Sequence, residues 1–155
     1  MAELKPGSKA PSFKLKDQKG AEVSLASFKG SKVLVYFYPK ADTPGCTTQS
    51  CAVRDALGTL KKHGVAAIGI SPDKPAAQAK FDTKYALGFP LLSDADHAVA
   101  EAYGAWGEKS MYGKKYMGIV RSAFLVDEGG RIAAAWVGVS PGDTVPDILA
   151  ALGAG

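Results

Sequence analysis

Two cysteines, Cys46 and Cys51, are the residues of this chain best suited to chemistry. They close the segment Pro39-Lys40-Ala41-Asp42-Thr43-Pro44-Gly45-Cys46-Thr47-Thr48-Gln49-Ser50-Cys51. Cys46 follows a Pro-Gly turn and opens a stretch of helical periodicity. The first N–H groups of a helix lack partners and carry the positive end of its macrodipole. Such a position favours the thiolate, which is the reactive form of the side chain. Pro44 suits a first helical turn, where its missing N–H costs nothing. Gly45 leaves room for a substrate to approach the backbone. Free cysteines are more often small buried hydrophobes, but that role needs no Thr-Pro-Gly lead-in.

Cys51 stands five residues after Cys46. In an intact helix that spacing puts the two Cα atoms ~8 to 9 Å apart and ~140° apart around the axis. Cysteines that form disulfides usually have Cα atoms within about 7 Å. Either the two never pair, or the first turns unwind to let them. The start of a helix is marginal enough for unwinding, and a redox-driven local opening is the expectation.

Composition narrows the setting. The chain has 155 residues, 46% apolar and 22% charged, which fits one globular domain over residues 1–155 with a full hydrophobic core. Two cysteines are too few for a disulfide scaffold. Residues 1–13 hold no apolar run of the kind a secretory signal needs, and no stretch approaches the ~20 apolar residues of a membrane span. A reducing cytoplasm is therefore expected, where a cysteine pair is more often catalytic or metal-binding than structural. The net charge of +4 comes from scattered lysines rather than a basic run interleaved with aromatics, so neither nucleic acid nor a membrane is an expected partner.

The elements that must hold the pair can be read from pattern. Residues 12–16 alternate, turn at 17–20, and alternate again through Val23 and Leu25, which predicts a hairpin. Residues 33–38 form a continuous apolar run, as in a strand buried on both faces. A loop at 39–45 leads to a helix over 46–62, with Val53, Ala56, Leu57 and Leu60 on one face. His63-Gly64 ends it. A buried strand at 65–70, a helix at 75–85, a short strand at 89–92 and a helix at 95–103 follow. Strands at 122–126 and 132–137 flank the turn 127–130, and a last helix begins near Asp143 or Thr144. This order predicts an α/β, thioredoxin-like fold: a mixed central sheet covered by helices on both faces, with an N-terminal β-hairpin extension.

The Pro39 to Cys51 segment resembles the active-site motif of peroxiredoxins, Pro-x-x-x-Thr-x-x-Cys, met here by Pro39, Thr43 and Cys46. Cys51 at the fifth position beyond is similar to the Q-type, or bacterioferritin comigratory protein, subfamily. The likeness continues at residues 7–11, from Trp106-Gly107-Glu108 through 111–119, at Arg121-Ser122 and over 124–127. It implies a thiol peroxidase acting on hydrogen peroxide and organic hydroperoxides without cofactor or metal. Cys46 would be the peroxidatic cysteine and Cys51 the resolving one. Arg121 would be the active-site arginine, Thr43 the hydroxyl that orients peroxide, and Pro39 a shield against water, with Gly45 beside the substrate. The implied reductant is thioredoxin, glutaredoxin or a similar dithiol, and the implied working form is a monomer. Taken alone, Arg121 reads as a surface charge ahead of a strand. Where many relatives carry Glu and Ala, this chain has Gln49 and Ser50, so its hydrogen bonds around the cysteines must differ.

Two other readings compete. A thioredoxin-like disulfide oxidoreductase would want Cys-x-x-Cys, a spacing this chain lacks. A metal-binding module would need Cys46 and Cys51 with His63 and His97, a weak set whose histidines sit in surface contexts.

Overall fold

The computed structural model describes residues 4–153. Its chain order is β1 (Lys14–Lys16), β2 (Glu22–Ser24), β3 (Lys32–Phe37), α1 (Pro44–Lys62), β4 (Val65–Ser71), α2 (Pro75–Tyr85) and β5 (Leu91–Ser93). It continues with α3 (Ala98–Ala102), β6 (Trp106–Met111), β7 (Lys114–Ile119), β8 (Ser122–Val126), β9 (Ile132–Val137) and α4 (Thr144–Ala151). Seven strands make one mixed sheet in the order β2-β1-β5-β4-β3-β8-β9. The expected α/β sheet is present, and β1 and β2 are the expected N-terminal hairpin.

Strand β3 is the middle of this sheet because it is apolar on both faces. Val33, Val35 and Phe37 enter one core with Ile68, Ile70, Phe124 and Tyr103 beyond the end of α3. Leu34, Tyr36 and Tyr38 enter the other, where Val53 and Leu60 of α1, Phe81 of α2 and Ile148 of α4 cover them. The period-2 alternation of a strand thus divides one apolar run between two helix-covered layers. Parallel pairing of β3 with β4 aligns their carboxyl ends, and antiparallel β8 pairs Ser122 with Phe37. That register delivers the residue before Ser122 to the same edge as the loop after β3.

Helix α1 starts two residues before the expected Cys46, with Pro44 at its first position, and ends at His63 with Gly64 at φ +72°. Two expectations are shortened: the helix at 95–103 is confined to α3, and the strand at 89–92 shifts to β5. One element was not expected at all. Residues 106–119 form a separate two-stranded hairpin, β6–β7, closed by Tyr112 and Gly113, both at positive φ. Its base is fixed where the Val120 N–H donates to the Ala105 carbonyl at 2.8 Å and where the Trp106 ring stacks on His97, 3.7 Å between centroids.

Candidate active site

Cys46 sits in the first turn of α1 and is 1% exposed. The loop that delivers it is anchored from below. Asp73, just beyond β4, accepts the Ala41 N–H and the Ser71 hydroxyl on one carboxylate oxygen, each at 2.7 Å. Gln78 donates to Ser71 and to the Leu92 carbonyl, and its amide oxygen accepts the Tyr38 hydroxyl. The last residue of the buried run is thereby tied to the carboxylate that holds the next loop. Asp42 occupies the left-handed region at φ 59°, which aspartate tolerates. Hydrogen bonds from Lys84 and Tyr85 hold the Asp42 carboxyl below its usual range.

Across the sheet edge, Arg121 leaves the end of the β6–β7 hairpin with its backbone pinned. Its carbonyl accepts the N–H groups of Gly138 and Val139, both at 2.9 Å. Its guanidinium divides between two partners. Nη2 lies 3.4 Å from Cys46 Sγ, and Nη1 donates to Gln49 Oε1 at 2.8 Å. Gln49 then donates from Nε2 to Thr144 Oγ1 at 2.9 Å, at the first residue of α4. Next to it, Ser50 Oγ is 2.7 Å from the Tyr36 hydroxyl. Burial pushes the Tyr36 phenol up, and the Ser50 hydrogen bond partly offsets that.

Both cysteines are free thiols, with Cys46 buried and Cys51 half-buried one turn further on. A buried sulfur at a helix start beside a guanidinium is an environment for a thiolate that attacks an electrophile and for charge leaving it. A family model described as the AhpC/TSA family matches residues 6–135.

The chain belongs to the AhpC/TSA family. Peroxiredoxin Bcp of Escherichia coli (strain K12) is 55% identical over 132 residues, covering 85% of each chain. A solved structure concerned with the alkyl peroxide reduction activity of Xanthomonas campestris bacterioferritin comigratory protein superposes with a TM-score of 0.86. It is 36% identical and covers 92% of this chain and 90% of that one. Peroxidoxin BcpB from Mycobacterium tuberculosis superposes with a TM-score of 0.87 at 32% identity, covering 98% of each. The chain is a peroxiredoxin of this Bcp or Q kind, an enzyme with the thioredoxin-like fold.

Of the residues expected at the peroxiredoxin site, Cys46, Arg121, Thr43 and Gly45 lie together. Thr43 is the N-cap residue of α1, and its hydroxyl donates to the Lys40 carbonyl at 2.7 Å, leaving the oxygen to accept. Pro39 is half-buried directly after Tyr38. Gly45 has a reason beyond access for substrate. A Cβ there would stand 3.0 Å from Arg121 Nη2 and 3.3 Å from Pro141 Cγ, so any larger residue would press on the guanidinium that lies over the turn.

Three contributors were not legible in the sequence. Asp73 and Thr144 act through hydrogen bonds to distant loops, and nothing in their local sequence marks them. Lys109 on β6 is half-buried. Burial and then the Arg121 charge push its ammonium down, while the nearby Cys46 partly offsets this. Only a correct hairpin assignment would place it near Arg121 and Cys46. The two histidines stand apart in the fold: His63 is the exposed C-cap of α1, and His97 pairs with Glu101 at 3.0 Å. Among the described residues, no group of three or more His, Cys, Asp or Glu is arranged to hold a metal, and no helix is long and apolar enough to cross a membrane.

Proposed function

We propose that this peroxiredoxin reduces hydrogen peroxide and organic hydroperoxides through Cys46, with Cys51 resolving the oxidised sulfur. The reading is carried by one observation: the Arg121 guanidinium lies 3.4 Å from a buried Cys46 sulfur at the start of α1. The Cys46 thiolate attacks one peroxide oxygen, the O–O bond breaks, and the sulfur becomes a sulfenic acid. The other oxygen leaves with the electron pair and takes a proton as water or alcohol. Arg121 and the free N–H groups of the first turn stabilise the charge on that oxygen as it develops. Thr43 accepts the peroxide O–H on the oxygen its bond to Lys40 leaves free. Pro39 and Gly45 line the approach, the first excluding water and the second keeping Arg121 in reach. The activity towards alkyl peroxides named for the Xanthomonas relative supports including organic hydroperoxides.

Cys51 then condenses with the sulfenic acid, releasing water and forming a disulfide, and an external dithiol reduces that disulfide by thiol exchange. Thioredoxin or glutaredoxin has the required chemistry. The cytoplasm is where such dithiols keep thiols reduced. One continuous seven-stranded sheet supports taking residues 1–155 as one domain. The likeness to Q-type relatives supports a monomer as the working form. A coupled assay with NADPH, thioredoxin reductase and thioredoxin, run against hydrogen peroxide and alkyl hydroperoxides, tests the cycle. NADPH oxidation that depends on all three proteins is expected; no peroxide-dependent oxidation with any dithiol system would overturn the reading.

A further inference from the structure

The first turns of α1 are held to the body of the protein by buried bonds that the attack on peroxide does not itself use. Four residues lie between the cysteines. Thr48 is exposed, and its hydroxyl bonds back to the Pro44 carbonyl of its own helix. Gln49 and Ser50 are fully buried and reach other elements. Ser50 meets the Tyr36 hydroxyl of β3 at 2.7 Å, and Gln49 donates to Thr144 of α4 at 2.9 Å. Tyr36 and Thr144 are themselves fully buried. A disulfide needs Cα atoms closer than the ~8 to 9 Å an intact helix imposes on this spacing. The backbone between the cysteines must therefore leave the helix, and Gln49 and Ser50 must leave their partners with it.

We propose that the Ser50–Tyr36 and Gln49–Thr144 hydrogen bonds are clasps that set how fast α1 opens once Cys46 is oxidised. The proposal rests on the reading of Cys46 and Cys51 given above. Two reactions compete for the Cys46 sulfenic acid. In one, the Cys51 thiol attacks the sulfur, the S–O bond breaks, and the oxygen leaves as water. In the other, a second hydroperoxide transfers an oxygen to the sulfur, giving a sulfinic acid while the peroxide is reduced to water or alcohol. The first needs the helix open and the second does not. Strong clasps lengthen the wait for Cys51 and raise the share of sulfur lost to sulfinic acid. Through Thr144 the same device couples α4 to the redox state of the site. Ser50 is thus a positioning residue that acts on resolution and not on the attack, whereas Thr144 acts on resolution and, through Gln49, also reaches Arg121.

The test uses the reduced full-length protein mixed with one equivalent of hydrogen peroxide, quenched at intervals, and analysed by mass spectrometry for sulfenic acid, disulfide and sulfinic acid. Removing one buried partner destabilises the closed helix, so Ser50→Ala and Thr144→Val should each form the disulfide about tenfold faster than wild type. Thr144→Ser, which keeps the hydroxyl, should stay within roughly twofold of wild type. Sulfenic acid should appear at the wild-type rate in Ser50→Ala, and excess peroxide should convert less of it to sulfinic acid. The two variants alter different elements, so either can decide if the other fails to fold. A disulfide forming at the wild-type rate in both would overturn the clasps alone. A wild-type protein that forms no Cys46–Cys51 disulfide would overturn them together with the resolving role of Cys51.

Discussion

Arg121 and Cys46 are 75 residues apart in sequence, and the guanidinium Nη2 of one lies 3.4 Å from the sulfur of the other. The pairing of β3 with β8 produces that meeting. Strand β3 ends at Phe37 and sends the chain into the loop that reaches Cys46, while antiparallel β8 pairs Ser122 with Phe37. The residue preceding Ser122 is thereby held at the same edge, and two N–H groups beyond β9 fix its carbonyl there.

Loss of that guanidinium should slow the attack on peroxide more than it affects folding. Arg121→Ala should lower the second-order rate constant for Cys46 oxidation by about a hundredfold, the scale of one charge-stabilising donor. The same change strands Gln49 Oε1 in a buried site. Stopped-flow mixing with hydrogen peroxide under single-turnover conditions measures the rate. An Arg121→Ala rate equal to wild type would remove the arginine from the mechanism.

Gly45→Ala separates space from backbone freedom. Gly45 lies in α1 without positive φ, so alanine meets no backbone strain there. Its Cβ would instead press on Arg121 Nη2 at 3.0 Å and on Pro141. Displacing the proposed donor by part of an ångström should cost roughly ten- to a hundredfold in the same rate constant. The expected result is a slow enzyme whose melting temperature is close to wild type.

The cysteines are expected to fail differently. Cys46→Ser should abolish hydroperoxide consumption altogether. Cys51→Ser should complete one round, measured as a single equivalent of peroxide reduced per chain, and then stop turning over with a thioredoxin system. Full peroxidase activity in Cys46→Ser would contradict its assignment as the attacking residue.

Much of the scaffold could be read in advance because its signals are local. The apolar run at 33–38, the Pro-Gly lead into α1 and the Gly64 stop each declare themselves within a few residues. What could not be read depends on partners far along the chain. Nothing near Arg121 separates it from a surface arginine; only the family resemblance singles it out. The β6–β7 hairpin escaped because its strands carry lysines and glycines, and because Tyr112 holds a positive φ that tyrosine rarely adopts. Without the hairpin, the place of Lys109 is not legible either. Asp73 and Thr144 have no signature at all, since their roles exist only through bonds to Ala41 and Gln49.

Packing behind the site gives a stability prediction. Gly69 of β4 faces the Tyr36 ring so closely that an added Cβ would fall 2.9 Å from it and 3.1 Å from Leu91. Gly69→Ala should destabilise the fold by about 1 to 3 kcal/mol, the usual cost of overfilling a packed core. Urea denaturation followed by circular dichroism would measure it. The rate of Cys46 oxidation should change far less than in Arg121→Ala.

In the proposed cycle, Cys46 and Cys51 form a disulfide only when the first turns of α1 open. Hydrogen exchange over residues 47–53, compared between the reduced protein and protein treated with one equivalent of peroxide, addresses it most directly. A Cys46–Cys51 cross-link in the peptide map of the oxidised sample and markedly faster exchange across those residues are expected. A cross-link with exchange unchanged from the reduced state would contradict it.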